Sequence, residues 1–204
     1  MKPLTFLCAF ALVLFSTMYS QPASAGDLMV GGQFRAGLAH LESDADNAAA
    51  DDDDDTAFGI GGQLFAVYKF IEEIGVGLNF DFNVSFHEFG DNNTDVTADE
   101  IGFGVIVRSD LIDVLALCLW LNYTAGQLTY DTNFFGDIEV EGDGFEIGIA
   151  GFYKFQVHSM PIFVELGPVL TYGTYEADDE NLGDSNLDYI NFMLAVQGNF
   201  QIGL

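Results

Sequence analysis

Ser85 and His87 stand two residues apart in the stretch IGVGLNFDFNVSFHEF, residues 74 to 89, with Glu88 next in sequence. A serine, an imidazole and a carboxylate are the groups of nucleophilic acyl transfer, in which the imidazole takes the hydroxyl proton and the carboxylate orients the ring. On a strand, positions two apart share a face, so Ser85 and His87 sit side by side. A second pair, His158-Ser159, falls in a short connection. Both pairs read as ordinary polar residues, and the chain reads as non-enzymatic.

A metal is the other chemistry to weigh. In ESDADNAAADDDDDT, residues 42 to 56, Asp44, Asp46, Asp51, Asp53 and Asp55 offer hard oxygen ligands for Ca²⁺ or Mg²⁺. The tract has neither EF-hand spacing nor a glycine at the required turn, so it reads as a solvated acidic segment. Such a segment keeps a surface hydrated, suits a saline habitat, gathers divalent cations and favours cationic over anionic ligands. No cofactor is implied.

The first 25 residues, MKPLTFLCAFALVLFSTMYSQPASA, join one lysine, an apolar run and a small-x-small ending, the pattern of a cleavable secretory signal. The apolar run is shorter than the roughly 20 residues of a spanning helix. Residues 26–204 then form one domain, with four basic residues against 32 acidic ones and a net charge of −28, which excludes nucleic acid as a partner. Of the two cysteines, only Cys118 remains after cleavage, so no internal disulfide is expected. Half the residues are nevertheless apolar, so charge and hydrophobicity must be segregated along the chain.

That segregation has a period of two. Eight alternating segments run approximately over 28–41, 57–69, 74–87, 101–108, 114–130, 144–155, 162–175 and 189–203. Connections 42–56, 88–100, 131–143 and 176–188 are long and hold 24 of the 32 acidic residues without a lysine or arginine; 70–73, 109–113 and 156–161 are short. Long loops at one end and tight turns at the other describe an all-β, eight-stranded antiparallel up-and-down barrel that crosses a membrane. One face is unbroken by charge, as in Val76, Leu78, Phe80, Phe82, Val84 and Phe86; the other carries Asn79, Asp81, Asn83 and many glycines. Small residues suit a narrow, curved interior, so the apolar face is read as facing lipid. Tyr68, Phe86, Tyr123, Tyr130, Tyr153, Phe155, Tyr172 and Tyr189, near strand ends, are read as interfacial girdles.

The same alternation fills the lumen. Phe65, Val67, Ile106, Cys118, Trp120, Phe152 and Phe163 are expected to form an apolar plug toward the end that carries the termini. Arg35, Lys69, Asp81, Arg108, Glu146, Lys154 and Glu165 are expected to form a lumenal charge network, with Lys154 and Glu165 as its best pair, since an unpaired buried charge costs several kcal/mol. Eight strands leave room for little beyond side chains, so the lumen is expected to be closed.

The signal peptide, the eight strands and the final strand YINFMLAVQGNFQIGL resemble the small bacterial outer-membrane barrels of the OmpA transmembrane domain, OmpX and OmpW type. In that group the last strand alternates apolar residues, ends in an aromatic and is read by the barrel-assembly machinery; here Gly198 interrupts the alternation and the last residue is Leu204. The resemblance implies an outer-membrane location in a Gram-negative bacterium, periplasmic termini, and contact with outer-membrane lipids and lipopolysaccharide. The expected role is a non-enzymatic barrel displaying acidic loops for envelope integrity or surface interaction. The alternative is a narrow transport or ligand-binding barrel whose small apolar cargo meets Trp120, Phe152 and Phe163. A third reading, a lipid A-modifying enzyme, fits less well: related deacylases carry His-x-Ser on the lipid side, whereas Ser85-x-His87 faces the lumen.

Overall fold

Alternating sequences cannot satisfy their backbone in hydrocarbon unless the sheet closes on itself, and it does. The computed structural model describes residues 26–45, 53–71, 73–89, 94–112, 114–132, 136–156, 162–179 and 183–203. They form β1 (Asp27–Ala45), β2 (Asp53–Ile71), β3 (Ile74–Phe89), β4 (Thr94–Ile112), β5 (Leu115–Thr132), β6 (Gly136–Gln156), β7 (Ile162–Asp179) and β8 (Gly183–Gly203). Each strand pairs antiparallel with its sequence neighbours, and β1 pairs with β8 to close an eight-stranded barrel.

The alternation sorts the two faces as the sequence implies. Phe34, Phe82 and Leu121 are 59%, 45% and 51% exposed, within a belt of outward apolar residues that runs round all eight strands. A continuous apolar exterior of this extent does not suit a water-soluble monomer, whose exposed apolar patches are a few hundred Å². Gly198, on the same outward row, has no neighbouring atom within 4 Å of where a side chain would begin. Replacing it by leucine should therefore leave folding intact, with a stability within about 0.5 kcal/mol of the parent; a urea titration in detergent checks this.

The acidic connections differ from the expectation. Most of 42–56, 88–100, 131–143 and 176–188 is strand, and only 46–52, 90–93, 133–135 and 180–182 lie between strands at that end. The reason lies in the acidic segments themselves, which alternate. Val96, Val140 and Leu187 point inward and are buried, whereas Asp95, Asp99, Glu139 and Glu141 face outward. With both neighbours present, ladder hydrogen bonds continue, so the strands reach 16 to 21 residues. At about 3.4 Å per residue and a tilt near 40°, a 19-residue strand rises on the order of 45 Å, well past the ~25 Å apolar band of a membrane barrel. The acidity is therefore carried chiefly by an extension of the barrel wall.

Candidate functional sites in the lumen

Inward side chains stack in layers from the end that carries the termini to the far end. The first is a charged mouth. The Arg108 guanidinium donates to both Glu165 oxygens at 2.5 and 2.9 Å and to Asp110 at 2.9 and 3.3 Å. Lys69 and Lys154 converge on the same Asp110 carboxylate at 2.6 and 3.2 Å, and Gln197 donates to Glu165 at 2.8 Å. Lys69, Arg108, Asp110, Lys154, Phe163 and Gln201 help to line an open vestibule of about 510 Å³. Lys154 and Glu165 are cross-strand neighbours, yet the expected pairing is replaced: Glu165 takes the planar fork of Arg108, which matches two carboxylate oxygens at once, and Lys154 turns to Asp110. Asp110 lay in the segment read as a turn; the alternation Arg108-x-Asp110 is the signal that places it inside.

Beneath the mouth is an apolar layer. Phe65, Val67, Ile106, Cys118, Trp120 and Phe152 pack with Met29, Ala116, Ala150, Val169, Met193 and Ala195. Phe163 stays outside this cluster, half-buried against the vestibule, because it pairs with Asn199 close to the end of the barrel. Trp120 and Phe152 are thus packed in this layer, while Phe163 borders the vestibule.

The middle layer is polar and buried. Arg35 binds Asp81 and donates to Asn83 at 2.6 and 2.9 Å, and Glu146 lies 4.0 Å from it. Gln63 donates to Asp81 at 3.2 Å. Glu146 accepts from Trp120 Nε1 at 2.8 Å and from Asn122 at 3.1 Å, and lies 3.2 Å from the Tyr189 hydroxyl oxygen. The one Tyr189 proton goes to Glu100, which takes a further bond from Asn83 at 3.3 Å. Glu100 and Tyr189 join a network in which the sequence reading had placed neither. Tyr189, read as a girdle residue, faces the lumen and stacks on Tyr175 at 5.3 Å. Its odd position on β8, in step with Asn191 and Gln197, carried that information.

Above it, Leu41, Val96, Leu128, Val140, Tyr175, Leu187 and Tyr189 form a second apolar layer inside the acidic extension. A cavity of about 30 Å³ is lined by members of this layer together with Ser85, His87, Glu100 and Asn191. Here His87 Nε2 lies 2.8 Å from Ser85 Oγ, and its Nδ1 lies 3.3 Å from Asp55 Oδ2. Of the five aspartates weighed for a metal, Asp46 and Asp51 fall outside the described residues, as does His158-Ser159; Asp44 and Asp53 are strand residues, and Asp55 faces His87. Among the described residues no cluster of three or more histidines, cysteines and carboxylates is arranged for a metal.

No protein-family model matches the chain, and no curated protein does. Solved structures do match in fold. A major outer membrane protein from Thermus thermophilus aligns over 88% of this chain and 100% of its own, with a TM-score of 0.52 at 10% identity. This chain has the fold of the small outer-membrane β-barrels. Neisserial surface protein A aligns over 88% and 99% of the two chains, with a TM-score of 0.48 at 15% identity. Ail, the attachment invasion locus protein of Yersinia pestis, aligns over 84% and 99%, with a TM-score of 0.45 at 14% identity. In this outer-membrane-type barrel, then, two apolar layers enclose a buried polar one, and the exterior carries the apolar belt.

Proposed function

We propose that this barrel is an integral outer-membrane protein of a Gram-negative bacterium, closed to solutes, whose acidic wall extension serves envelope integrity or surface interaction. Residues 1–25 deliver it as a signal peptide, the barrel-assembly machinery inserts it, and the termini face the periplasm. Outer-membrane lipids and lipopolysaccharide surround the belt, and divalent cations gather at the acidic tips. This role needs no catalysis.

The observation that carries the reading is the filling of the lumen. Val67, Ile106, Trp120 and Phe152 are buried to 2% exposure or less in one layer, and Val96 and Leu187 close the other. Bulky apolar groups across a narrow barrel leave no wetted path for an ion. Refolded protein in a planar bilayer is therefore expected to show no stable stepwise conductance, and Trp120→Ala alone should not create one, because Phe152 and Ile106 remain packed beside it. Reproducible steps from the parent protein that widen in Trp120→Ala would overturn the closed lumen and favour transport.

A further inference from the structure

We propose that Ser85, His87 and Asp55 form a hydrolytic triad at the far end of the lumen, acting on small, uncharged carboxylic esters with an acyl group of acetyl size. The proposal goes beyond the envelope role and is independent of it, since a barrel closed to ions can hold such a site at one mouth.

The argument starts from the register. Ser85 and His87 occupy successive inward positions of β3, and Gly59 of β2 pairs with Ser85, which brings the preceding residues of β2 alongside His87. Asp55 thereby reaches the imidazole from the neighbouring strand. With the ring proton on Nδ1, facing Asp55 at 3.3 Å, Nε2 is the acceptor for the Ser85 hydroxyl at 2.8 Å. One imidazole therefore stands between a serine at hydrogen-bond distance and a carboxylate 3.3 Å away, a longer contact that tightens when the ring takes up a proton. His87 is 3% exposed, so the ring is held by its surroundings rather than swinging in solvent.

The second observation is the space beside it. Ser85 and His87 both line the cavity of about 30 Å³, which has room for roughly two waters and hence for a two-carbon acyl group. Leu41, Leu128, Val140 and Leu187 give that space an apolar wall, and Asn191 is a lining residue with a side-chain amide N–H, to which the developing oxyanion is assigned. The inward Glu100 also borders it, and with the acidic extension it repels anionic substrates. The site faces the lumen and not the belt, which separates it from the acyl chains of a surrounding lipid.

The chemistry balances without a cofactor. Ser85 Oγ attacks the ester carbonyl while its proton passes to His87 Nε2. The tetrahedral adduct collapses, the carbon–oxygen bond to the alcohol breaks, and the alcohol leaves with the proton from His87. Water then attacks the acyl-Ser85 carbonyl, giving its proton to His87, and the acid departs as the serine is reprotonated. The sum is ester plus water to acid plus alcohol. Asp55 touches no reacting atom and acts as a positioning residue.

The test uses barrel refolded in detergent micelles, with p-nitrophenyl acetate as the probe. An initial burst of p-nitrophenol is expected, with an acetyl group on Ser85 located by peptide mass spectrometry after an acid quench. Ser85→Ala should abolish both, and His87→Ala should lower the rate about 100-fold or more. Asp55→Asn should lower kcat with KM unchanged, and Asp55→Glu should recover part of it. Heat-modifiable gel migration verifies folding of each variant. Acetyl transfer to other residues only, or hydrolysis equal in the parent and folded Ser85→Ala, would overturn the proposal. If Ser85→Ala fails to fold, the mass of the parent's Ser85 peptide decides alone: acetylated supports the triad, unmodified refutes it. Faster cleavage of the decanoate than of the acetate ester would overturn the assigned substrate class.

Discussion

Replacing Arg35 by methionine is expected to destabilise the folded barrel by about 3–5 kcal/mol, read from urea unfolding and refolding in detergent. The guanidinium is fully buried and holds Asp81 and two contacts to Asn83, with Glu146 4.0 Å away. Methionine fills much of the same volume, so the loss measures charge and not a cavity. It leaves the Asp81 carboxylate with only amide donors, from Gln63 and Asn83. An uncompensated buried charge is far costlier than a lost surface pair, which is worth about 0–1 kcal/mol. The size of the loss therefore reports how dry the middle layer is. Adding Asp81→Asn should return part of the stability, because the charge left behind is then removed. A loss below about 1 kcal/mol, unaffected by Asp81→Asn, would mean that water reaches Arg35, and the closed lumen would fall with it.

This dependence on one guanidinium also marks the border of what the sequence could reveal. Which face a residue occupies follows from strand parity, a local property, so the outward row of Val76, Phe80 and Phe82 and the inward row of Asn79, Asp81 and Asn83 were legible in one stretch. Which inward charge meets which is not local. Arg108 and Glu165 are 57 residues apart, and their meeting depends on the stagger of four strands around the barrel. Strand adjacency alone favours Lys154 with Glu165, and the two-pronged geometry of the Arg108 fork overrides it. The acidic segments failed for another reason. Aspartate and glutamate dominate their composition and suggest loops, yet alternation continues through Asp95-Val96-Thr97-Ala98-Asp99-Glu100 and brings Val96 and Glu100 inside. Asp55 was hidden by that same composition, as one aspartate in a run of five.

Gly148→Val is expected to be nearly as damaging, and it tests the layer below Arg35. Gly148 pairs with Trp120 across β5 and β6, and the indole lies over it: a Cβ at 148 would sit 2.0 Å from Trp120 Cε2 and 2.5 Å from Nε1. No small adjustment relieves such an overlap, so the ring must swing away. In doing so it gives up the 2.8 Å bond from Nε1 to Glu146 and disturbs the apolar layer it shares with Phe152 and Ile106. Overpacking of this kind costs about 1–3 kcal/mol, and a buried carboxylate deprived of a charge-assisted bond adds about 1.5–3 kcal/mol. The two costs can be separated. Trp120→Ala in the Gly148→Val background removes the overlap and restores part of the volume while leaving Glu146 without its indole donor, so the double variant should recover the overpacking share only. Trp120→Phe in the same background should recover less, since the ring still needs the space above residue 148. If Gly148→Val alone unfolds at the parent's urea concentration, the indole is not seated on the glycine, and the packed layer assigned to close the barrel is not rigid.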